Sequence, residues 1–376
     1  MSAEPKRPLG PDEPVALTLL TGFLGAGKTT LLQSLVREPD LADTVVLINE
    51  VGEVALDHLF VDVLDENLLL LSSGCMCCAV RGDLVDSLEN ILRWRDAGSA
   101  PPFRRVVIET TGLADPAPVL HLVMTHPYLV QRYRLDGIVT VVDGVNGAAT
   151  LDTYEEAVKQ VAMADRLVLT KTDLPGADAE ALRTRLKRLN PAAQVLDAAK
   201  GEAVAVALMN AGLYDPSGKI PDVSRWLAEE AVAAANADRD PAVTLAPHKH
   251  DERIKVFTVA TEAAIPMATL ELFLELLRAT HGEKLLRLKG IVRLAEEPDQ
   301  PVALHAVQHV LHPPVRLQQW PDDDRRSRLV CVSRDLDPLV VQRLLDAFLG
   351  IPATDTPDKA ALVDNPLSVR PGALLA

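Results

Sequence analysis

Residues 22–29 read GFLGAGKT, which matches the pattern G-x-x-x-x-G-K-[ST] at every fixed position. The segment follows a short apolar run, VALTLLTG, and opens a helix-like stretch from Lys28 to about Glu38. Glycines in this context let successive backbone N–H groups face a phosphate, and the helix N-terminus adds positive potential. We expect Lys28 to reach the β- and γ-phosphates and Thr29 to bind Mg²⁺ through its hydroxyl. The loop residues expected at the phosphates are Gly22, Gly25, Ala26, Gly27, Lys28, Thr29 and Thr30.

The rest of the N-terminal half alternates short apolar runs with amphipathic segments. Buried strands are predicted at 15–22, 44–50, 104–110, 136–143 and 165–173, and helices at 79–95, 116–125, 151–163 and 178–189. Strands that alternate with helices are typical of a parallel α/β sheet covered on both faces. We therefore predict a phosphate-loop NTPase domain with a mainly parallel sheet over residues 15–225, after a flexible tail at 1–14.

The pattern changes after about residue 202, where an Ala-, Asp- and Pro-rich stretch predicts one or two helices and then a linker at 226–253. Strands are predicted at 254–261 and in LLRLKGIVRLA, ALHAVQHVLH and RSRLVCVSR, and helices at 266–282 and 338–349. This order predicts a smaller α+β C-terminal domain at 254–350 with a mainly antiparallel sheet, followed by a tail at 351–376. We expect His305 and His309 to share one face of a strand, where lining a cleft is one alternative and a core or surface position is the favoured interpretation.

Composition excludes several classes of protein. The formal net charge is −15, so the chain has no general attraction to nucleic acid or anionic lipid. Its apolar runs are too short to span a bilayer, and the N-terminus lacks the apolar core of a secretory signal. Four cysteines in 376 residues do not make a disulfide scaffold. We therefore expect a cytoplasmic protein with no nucleic-acid or membrane partner.

The segment Thr170-Lys171-Thr172-Asp173 closes a predicted strand and fits the [NT]-K-x-D pattern with which GTPases recognise guanine. The Asp173 carboxylate can accept two hydrogen bonds from guanine, whereas adenine has neither donor on that edge and would leave the carboxylate unpaired. Lys171 can lie along the base. The common first residue is Asn, so Thr170 is a mild departure. The sequence therefore predicts GTP as the nucleotide.

A further predicted strand ends in Glu109-Thr110-Thr111-Gly112. An acid at this position can hold the Mg²⁺ shell or orient water, so Glu109 joins Lys28 as a candidate catalytic residue and Thr29 as a candidate Mg²⁺ ligand. The alternative is that Glu109 merely caps the strand. The N–H of Gly112 is expected to approach the γ-phosphate, which would make the following loop sensitive to the nucleotide. Asp143, which ends another strand, is interpreted as structural.

Three of the four cysteines are clustered in Gly74-Cys75-Met76-Cys77-Cys78. Thiolates at this spacing can share one metal ion, and an acid or imidazole would complete the shell. Zn²⁺, Co²⁺ and Cu(I) all suit such ligands. The alternatives are a core position for Cys78, buried structural thiols, or a redox pair. The candidate metal ligands are Cys75, Cys77, Cys78 and Glu53, then Glu50 and the loop pair His248 and His250, for which a solvated loop is the favoured interpretation. Cys331 lies in an apolar strand and is expected in the core.

Together these motifs resemble those of the CobW-like GTPases, a metallochaperone family within the SIMIBI class of phosphate-loop NTPases. The matching segments are GFLGAGKTT, INEVGEVALD, GCMCC, ETTGLADP, DGIVTVVDG, TKTDL and, further on, LRLKGIVRLA, VQHVLH and LQQWPDDDRRSRLVCVS. The resemblance covers about residues 20–350 and implies GTP hydrolysis coupled to a bound transition metal. It also implies metal-site roles for Glu53 and Cys77, with Cys75 and Cys78 beside them. Relatives differ at Val51 and Ala55, and some carry an additional acid where this chain has Ile48.

The function expected from the sequence is a GTP-hydrolysing metallochaperone that uses Mg²⁺ and carries Zn²⁺ or Co²⁺ on the GCMCC motif. It would deliver the metal to a client metalloprotein, acting as a monomer or as a nucleotide-dependent dimer. One alternative is a regulatory GTPase switch with structural or redox cysteines and no cargo. A metal-dependent hydrolase is a second alternative, but no H-E-x-x-H or G-x-S-x-G segment supports it.

Overall fold

The computed structural model describes residues 14–49, 61–65, 68–73, 81–209, 211, 253–312 and 314–351. These residues build two sheets. The strands of the first sheet are β1 (Val15–Gly22), β2 (Thr44–Asn49), β3 (Val61–Asp65), β4 (Leu68–Ser73), β5 (Arg105–Glu109), β6 (Tyr133–Asp143), β7 (Arg166–Thr170) and β8 (Gln194–Asp197). Their order is β3-β4-β2-β5-β1-β6-β7-β8, and every neighbouring pair except β3–β4 is parallel.

Helices cover both faces of this sheet, as a parallel arrangement requires. They are α1 (Lys28–Leu35), α2 (Arg81–Asp96), α3 (Pro116–Thr125), α4 (Leu129–Arg132), α5 (Gly147–Thr153), α6 (Glu155–Met163), α7 (Ala179–Leu189) and α8 (Ala205–Leu208). All eight residues of β1 are buried. Leu17 and Leu19 pack with residues of α2 and α3, while Leu20 packs with α1 on the opposite face. Both faces of β1 are therefore buried against helices.

The second sheet is antiparallel throughout. It contains β9 (Ile254–Thr261), β10 (Leu285–Val292), β11 (Val302–Val307), β12 (Val310–Leu311), β13 (Val315–Arg316) and β14 (Ser327–Arg334), with the helices α9 (Met267–His281) and α10 (Pro338–Phe348). The order is β12-β11-β10-β14-β9, with β13 paired to β11. Leu270, Phe273 and Leu277 of α9 pack against Leu288 and Cys331 in the core. The fold class predicted from the sequence is confirmed, and Cys331 is a buried core residue as expected.

A buried charge cluster joins the two sheets where α6 ends. Asp165 is fully buried and forms an ion pair with Arg287 of β10, and the Lys289 ammonium lies 3.2 Å from its carboxylate. Arg287 also donates through Nη1 to the carbonyl oxygens of Met163, at 2.7 Å, and Ala164. The C-terminal end of α6 is thereby fixed to the second sheet.

Some predicted elements differ from those observed. The hairpin β3–β4 and the strand β8 are not among the predicted strands, and β8 has only four residues, too few to give a periodic signal. The predicted helix 151–163 is two helices, since Tyr154 adopts an extended conformation between α5 and α6 and its ring packs 4.4 Å from that of Phe23. The expectation that His305 and His309 share a strand face is wrong. His309 lies in the turn after β11, which begins with Gln308 at φ 49°.

Among the helices that the structure describes, none combines the length and apolar character needed to cross a membrane.

Candidate nucleotide site and its neighbours

The loop between β1 and α1 has the backbone that its glycines predict. A Cβ on Gly22 would lie 2.3 Å from the carbonyl oxygen of Val141 in β6, so no other residue fits there. Gly27 caps α1 with φ 91°, a left-handed conformation that costs glycine little. This curl turns the loop back over the strand ends and leads directly into the N-terminus of α1.

Lys28 and Thr29 are the first two residues of α1, and Thr29 contacts the last residue of β5. Lys28 is buried and donates to the carbonyl oxygens of Gly22, at 2.9 Å, and Phe23, at 3.3 Å. Burial lowers the pKa of Lys28, and the Glu109 carboxylate partly opposes this effect. The Thr29 hydroxyl donates to Glu109 Oε1 at 2.7 Å. The predicted Mg²⁺ ligands therefore lie together, with the predicted catalytic lysine beside them.

The end of β7 contacts the same loop. The Thr170 hydroxyl donates to the carbonyl oxygen of Ala26 at 2.7 Å. Lys171, with φ 57°, donates through Nζ to the carbonyl oxygen of Gly25 at 2.7 Å and to Asp143 Oδ2 at 2.6 Å. Burial raises the pKa of Asp143, but hydrogen bonds from Lys171 and two backbone N–H groups outweigh burial and hold that pKa below its usual range. The Thr170 hydroxyl thus connects the predicted guanine motif to the phosphate loop by a hydrogen bond.

Asp173 is exposed at the mouth of this region. Its neighbour Thr172 donates through its hydroxyl to Asp197 Oδ1 at 2.6 Å, and the same oxygen accepts from the N–H of Ala199 at 3.1 Å. The end of β8 therefore supports the guanine motif. Sequence reasoning missed Asp197 because β8 was not recognised, although an acid ending a strand was the available signal.

The loop after β5 packs directly on the phosphate loop. A Cβ on Gly112 would lie 2.5 Å from the backbone nitrogen of Leu24, so the approach requires glycine. Gln160 of α6 is buried and donates through Nε2 to the carbonyl oxygens of Gly112, at 3.1 Å, and Ala114, at 3.0 Å. One residue earlier in α6, Lys159 forms an ion pair with Asp115. Sequence reasoning missed Gln160, and a glutamine on the buried face of a short helix was the only signal.

The candidate metal ligands lie outside the described residues. They are Glu50, Glu53, Cys75, Cys77, Cys78, His248 and His250. The backbone on either side of two of the predicted loops is described, however. Asn49 and Ser73, the last residues of β2 and β4, are paired in register, and Ile48 is paired with Glu109 of β5. Elsewhere in the described ranges, no group of three or more His, Cys, Asp or Glu side chains could hold a metal ion.

Three features define a phosphate-loop GTPase. They are the loop between β1 and α1, the Glu109 carboxylate beside Thr29 at the start of α1, and the T-K-x-D segment that is hydrogen-bonded to the loop. Comparison with known proteins agrees. The family model described as CobW/HypB/UreG, nucleotide-binding domain, matches residues 16–197, and the cobalamin synthesis protein cobW C-terminal domain matches residues 254–349. The chain belongs to the CobW/HypB/UreG family of GTPases.

Its relatives include proteins that match over nearly the whole chain. The zinc chaperone YjiA of Escherichia coli (strain K12) is 33% identical over 343 residues, which cover 90% of this chain and 99% of that protein. The zinc chaperone CobW of Sinorhizobium is 27% identical, covering 89% of this chain and 97% of that protein. The crystal structure of Zn(II)-bound YjiA GTPase from E. coli superposes with a TM-score of 0.63 at 29% identity, covering 91% of this chain and all of that one.

Proposed function

We propose that this GTPase is a metallochaperone that binds a transition metal at the GCMCC motif and delivers it to a client metalloprotein. One backbone observation supports the coupling most directly. Asn49 and Ser73 end neighbouring parallel strands, and Ile48 pairs with Glu109 on the next strand. The chain segment that carries Glu53 therefore leaves the sheet from the strand next to that of Glu109, and the segment that carries the cysteines leaves from one strand further out.

In the proposed site, GTP occupies the loop at 22–30, with its base held by Lys171 and Asp173. The Thr29 hydroxyl and the Glu109 carboxylate, 2.7 Å apart, are both hard oxygen donors of the kind that Mg²⁺ takes, so the residues fit this ion. Bound Mg²⁺ would neutralise charge that develops on the phosphates. Lys28 would stabilise the same charge, because its position beneath the loop keeps an ammonium near the phosphate oxygens.

The loop after β5 is the proposed connection between nucleotide and metal. Gly112 contacts the phosphate loop at Leu24, so a γ-phosphate bound there would favour one conformation of the 110–115 segment. A metal bound beside β5 would favour one conformation in the same way. By linkage, GTP must then change metal affinity by the same factor by which metal changes GTP affinity.

Zinc is the proposed cargo, with Co²⁺ as an alternative metal. Two full-length relatives are named zinc chaperones, and a third, from Schizosaccharomyces pombe, is named a zinc-regulated GTPase metalloprotein activator. Soft thiolates with one carboxylate suit both metals. We place the GTPase domain at 15–225 and assign client recognition to the C-terminal domain at 254–350, beyond the linker at 226–253.

The test is a metal titration of the reduced, metal-free chain with GTP or GDP bound, in which Zn²⁺ and Co²⁺ affinity and GTP turnover are followed together. We expect Co²⁺–thiolate absorption bands, and a metal affinity that differs between the two nucleotides. Cys77→Ala should weaken Zn²⁺ binding by about tenfold or more (~1.4 kcal/mol), whereas Cys331→Ala, which alters a core cysteine, should not. Turnover that ignores metal, with unchanged affinity in Cys77→Ala, would instead favour the regulatory switch without cargo.

A further inference from the structure

A cavity of about 460 Å³ lies between the two sheets. It is bounded by the start of β6 on one side and by β11 and residues 312 and 314–316 on the other. Its walls are mainly apolar and include Met124, Val130, Leu135 and Val315. Nothing in the proposed nucleotide or metal chemistry uses this cavity. Two histidines and two arginines also line it, which is an unusual polar content for a pocket with apolar walls.

The two histidines, His305 and His312, stack with ring centroids 4.8 Å apart and 21° between their planes. The N–H of His312 donates to the carbonyl oxygen of His305 at 2.9 Å, so the hairpin holds the rings together. Only 4% of His305 is exposed. Neither Nε2 atom is solvent-accessible or has a hydrogen-bond partner in the part of the chain that the structure describes. Buried polar atoms are normally paired, so these two atoms, on residues that line the cavity, lack a partner that a bound molecule or a water could supply.

The charge around the histidines is positive. Lys289 lies opposite His305 in the β10–β11 pairing, and it shares the Asp165 carboxylate with Arg287. Within the described residues this buried cluster has two cations and one carboxylate. Arg134 and Arg316 add two guanidinium groups to the cavity lining, where Arg134 lies 4.0 Å from the Asp136 carboxylate and Arg316 pairs with Glu297. Burial lowers the pKa of His305 well below its usual value and that of His312 to about 4, so both rings are neutral at pH 7.

These features do not suit a metal ion. Zinc sites usually have three or four protein ligands, and the described residues offer two here. The nearby cations would also repel a divalent ion. Neutral imidazoles can donate an N–H to an anion, and guanidinium groups bind carboxylates especially well.

We propose that this cavity binds a small organic monocarboxylate, whose apolar body lies against Met124, Val130 and Leu135 and whose carboxylate is held by His305, His312 and Arg316. The site is separate from the nucleotide site and independent of the proposed cargo.

Isothermal titration calorimetry with octanoate tests this proposal on the full-length chain. We expect saturable binding of one octanoate per chain, and binding of octanol that is weaker by about tenfold or more because it lacks the charge (~1.4 kcal/mol). Arg316→Ala and His312→Leu should weaken octanoate binding but leave GTP turnover unchanged. His121→Leu, an exposed histidine outside the cavity, is the matched control. Arg316 is itself exposed and pairs with Glu297, so its replacement should not prevent folding.

Three results would overturn the proposal. The first is the absence of saturable octanoate binding, and the second is equal affinity for octanol and octanoate. The third is Zn²⁺ binding that survives replacement of Cys75, Cys77 and Cys78 by serine but is lost in His312→Leu, because the histidines would then be metal ligands.

Discussion

Gln160 donates a hydrogen bond to the carbonyl oxygen of Gly112 at 3.1 Å, and this bond connects α6 to the loop that touches the phosphate loop. The same Nε2 bonds the carbonyl oxygen of Ala114. Two carbonyls of the loop thus depend on one buried side chain. Neither contact brings Gln160 to the proposed phosphate position, so we expect Gln160 to act on hydrolysis by positioning the loop.

Replacing Gln160 by Ala should slow GTP hydrolysis. The Gly112 and Ala114 carbonyls would lose their partner, and misplacement of a positioned group can cost about tenfold or more in rate. We expect single-turnover hydrolysis to fall by that factor while GDP affinity changes little. Gln342→Ala, which removes a glutamine bonded to Asp346 in α10, is the control. An unchanged rate of hydrolysis in Gln160→Ala would contradict a positioning role.

Thr170→Val should weaken nucleotide binding because it removes the hydroxyl that bonds Ala26 while keeping the shape of the side chain. A buried carbonyl left unpaired costs about 1–3 kcal/mol. We expect lower GTP affinity, measured with a fluorescent GTP analogue, together with lower stability to urea. Thr170→Ser retains the hydroxyl and should behave like the wild type. Equal losses in both variants would mean that the methyl group matters rather than the hydrogen bond.

Asp165→Asn should destabilise the chain strongly. The carboxylate is fully buried, pairs with Arg287 and Lys289, and accepts from the N–H of Ile138 at 3.0 Å. Removing one partner of a buried ion pair costs about 3–5 kcal/mol. Glu155→Gln is the contrasting control, since Glu155 is only half-buried and pairs with Arg253 and Arg334 near the surface, where ion pairs contribute about 1 kcal/mol or less. Urea unfolding of both variants measures the difference, and similar losses would contradict the assignment.

In alkaline solution, the folding stability should change with pH because Lys289 loses its proton there. Burial, followed by the charge of Arg287, lowers the pKa of Lys289 to about 8, although Asp165 partly opposes this shift. Between this value and the ordinary 10.5, the unfolded chain binds a proton that the folded chain does not. Stability therefore rises with pH through this window as the buried charge is relieved.

The measurement is urea unfolding of the wild type and Lys289→Met across that alkaline window. We expect the stability of the wild type relative to the variant to increase with pH. Lys255→Met, on the exposed side of β9, should show no such trend. If the difference in stability between the wild type and Lys289→Met does not change with pH, the pKa of Lys289 is not lowered in the folded chain.

The sequence predicted those features that depend on local backbone and on strand ends. The phosphate loop is an example, because Gly22 and Gly27 specify their own conformations and the neighbouring apolar run specifies the strand. Contacts between distant segments could not be predicted in this way. The pairing of Lys171 with Asp143 and the stacking of His305 on His312 arise only when separate strands or a turn bring those side chains together.

The residues of the nucleotide site likewise divide into those that the motifs and strand ends predict and those that depend on contacts between distant segments. Thr29 and Glu109 were both predicted as Mg²⁺ ligands, because an acid that ends a strand of a phosphate-loop fold can hold the Mg²⁺ shell, and they are in contact. Gln160 lies on a helix whose periodicity predicts only burial, so its bonds to the 112–114 carbonyls required the tertiary structure.

The attachments of α6 connect the C-terminal sheet to the loop that packs on the phosphate loop. Arg334 and Arg253 hold Glu155 at its first turn, Arg287 holds the carbonyl of Met163 at its last, and the helix is separated from α5 by the break at Tyr154. A protein that docks on the C-terminal sheet and shifts it would move α6 as a unit and with it the loop beside the phosphates. A displacement of the C-terminal sheet would thus reach the 110–115 loop through α6 alone, without any contact inside the nucleotide pocket.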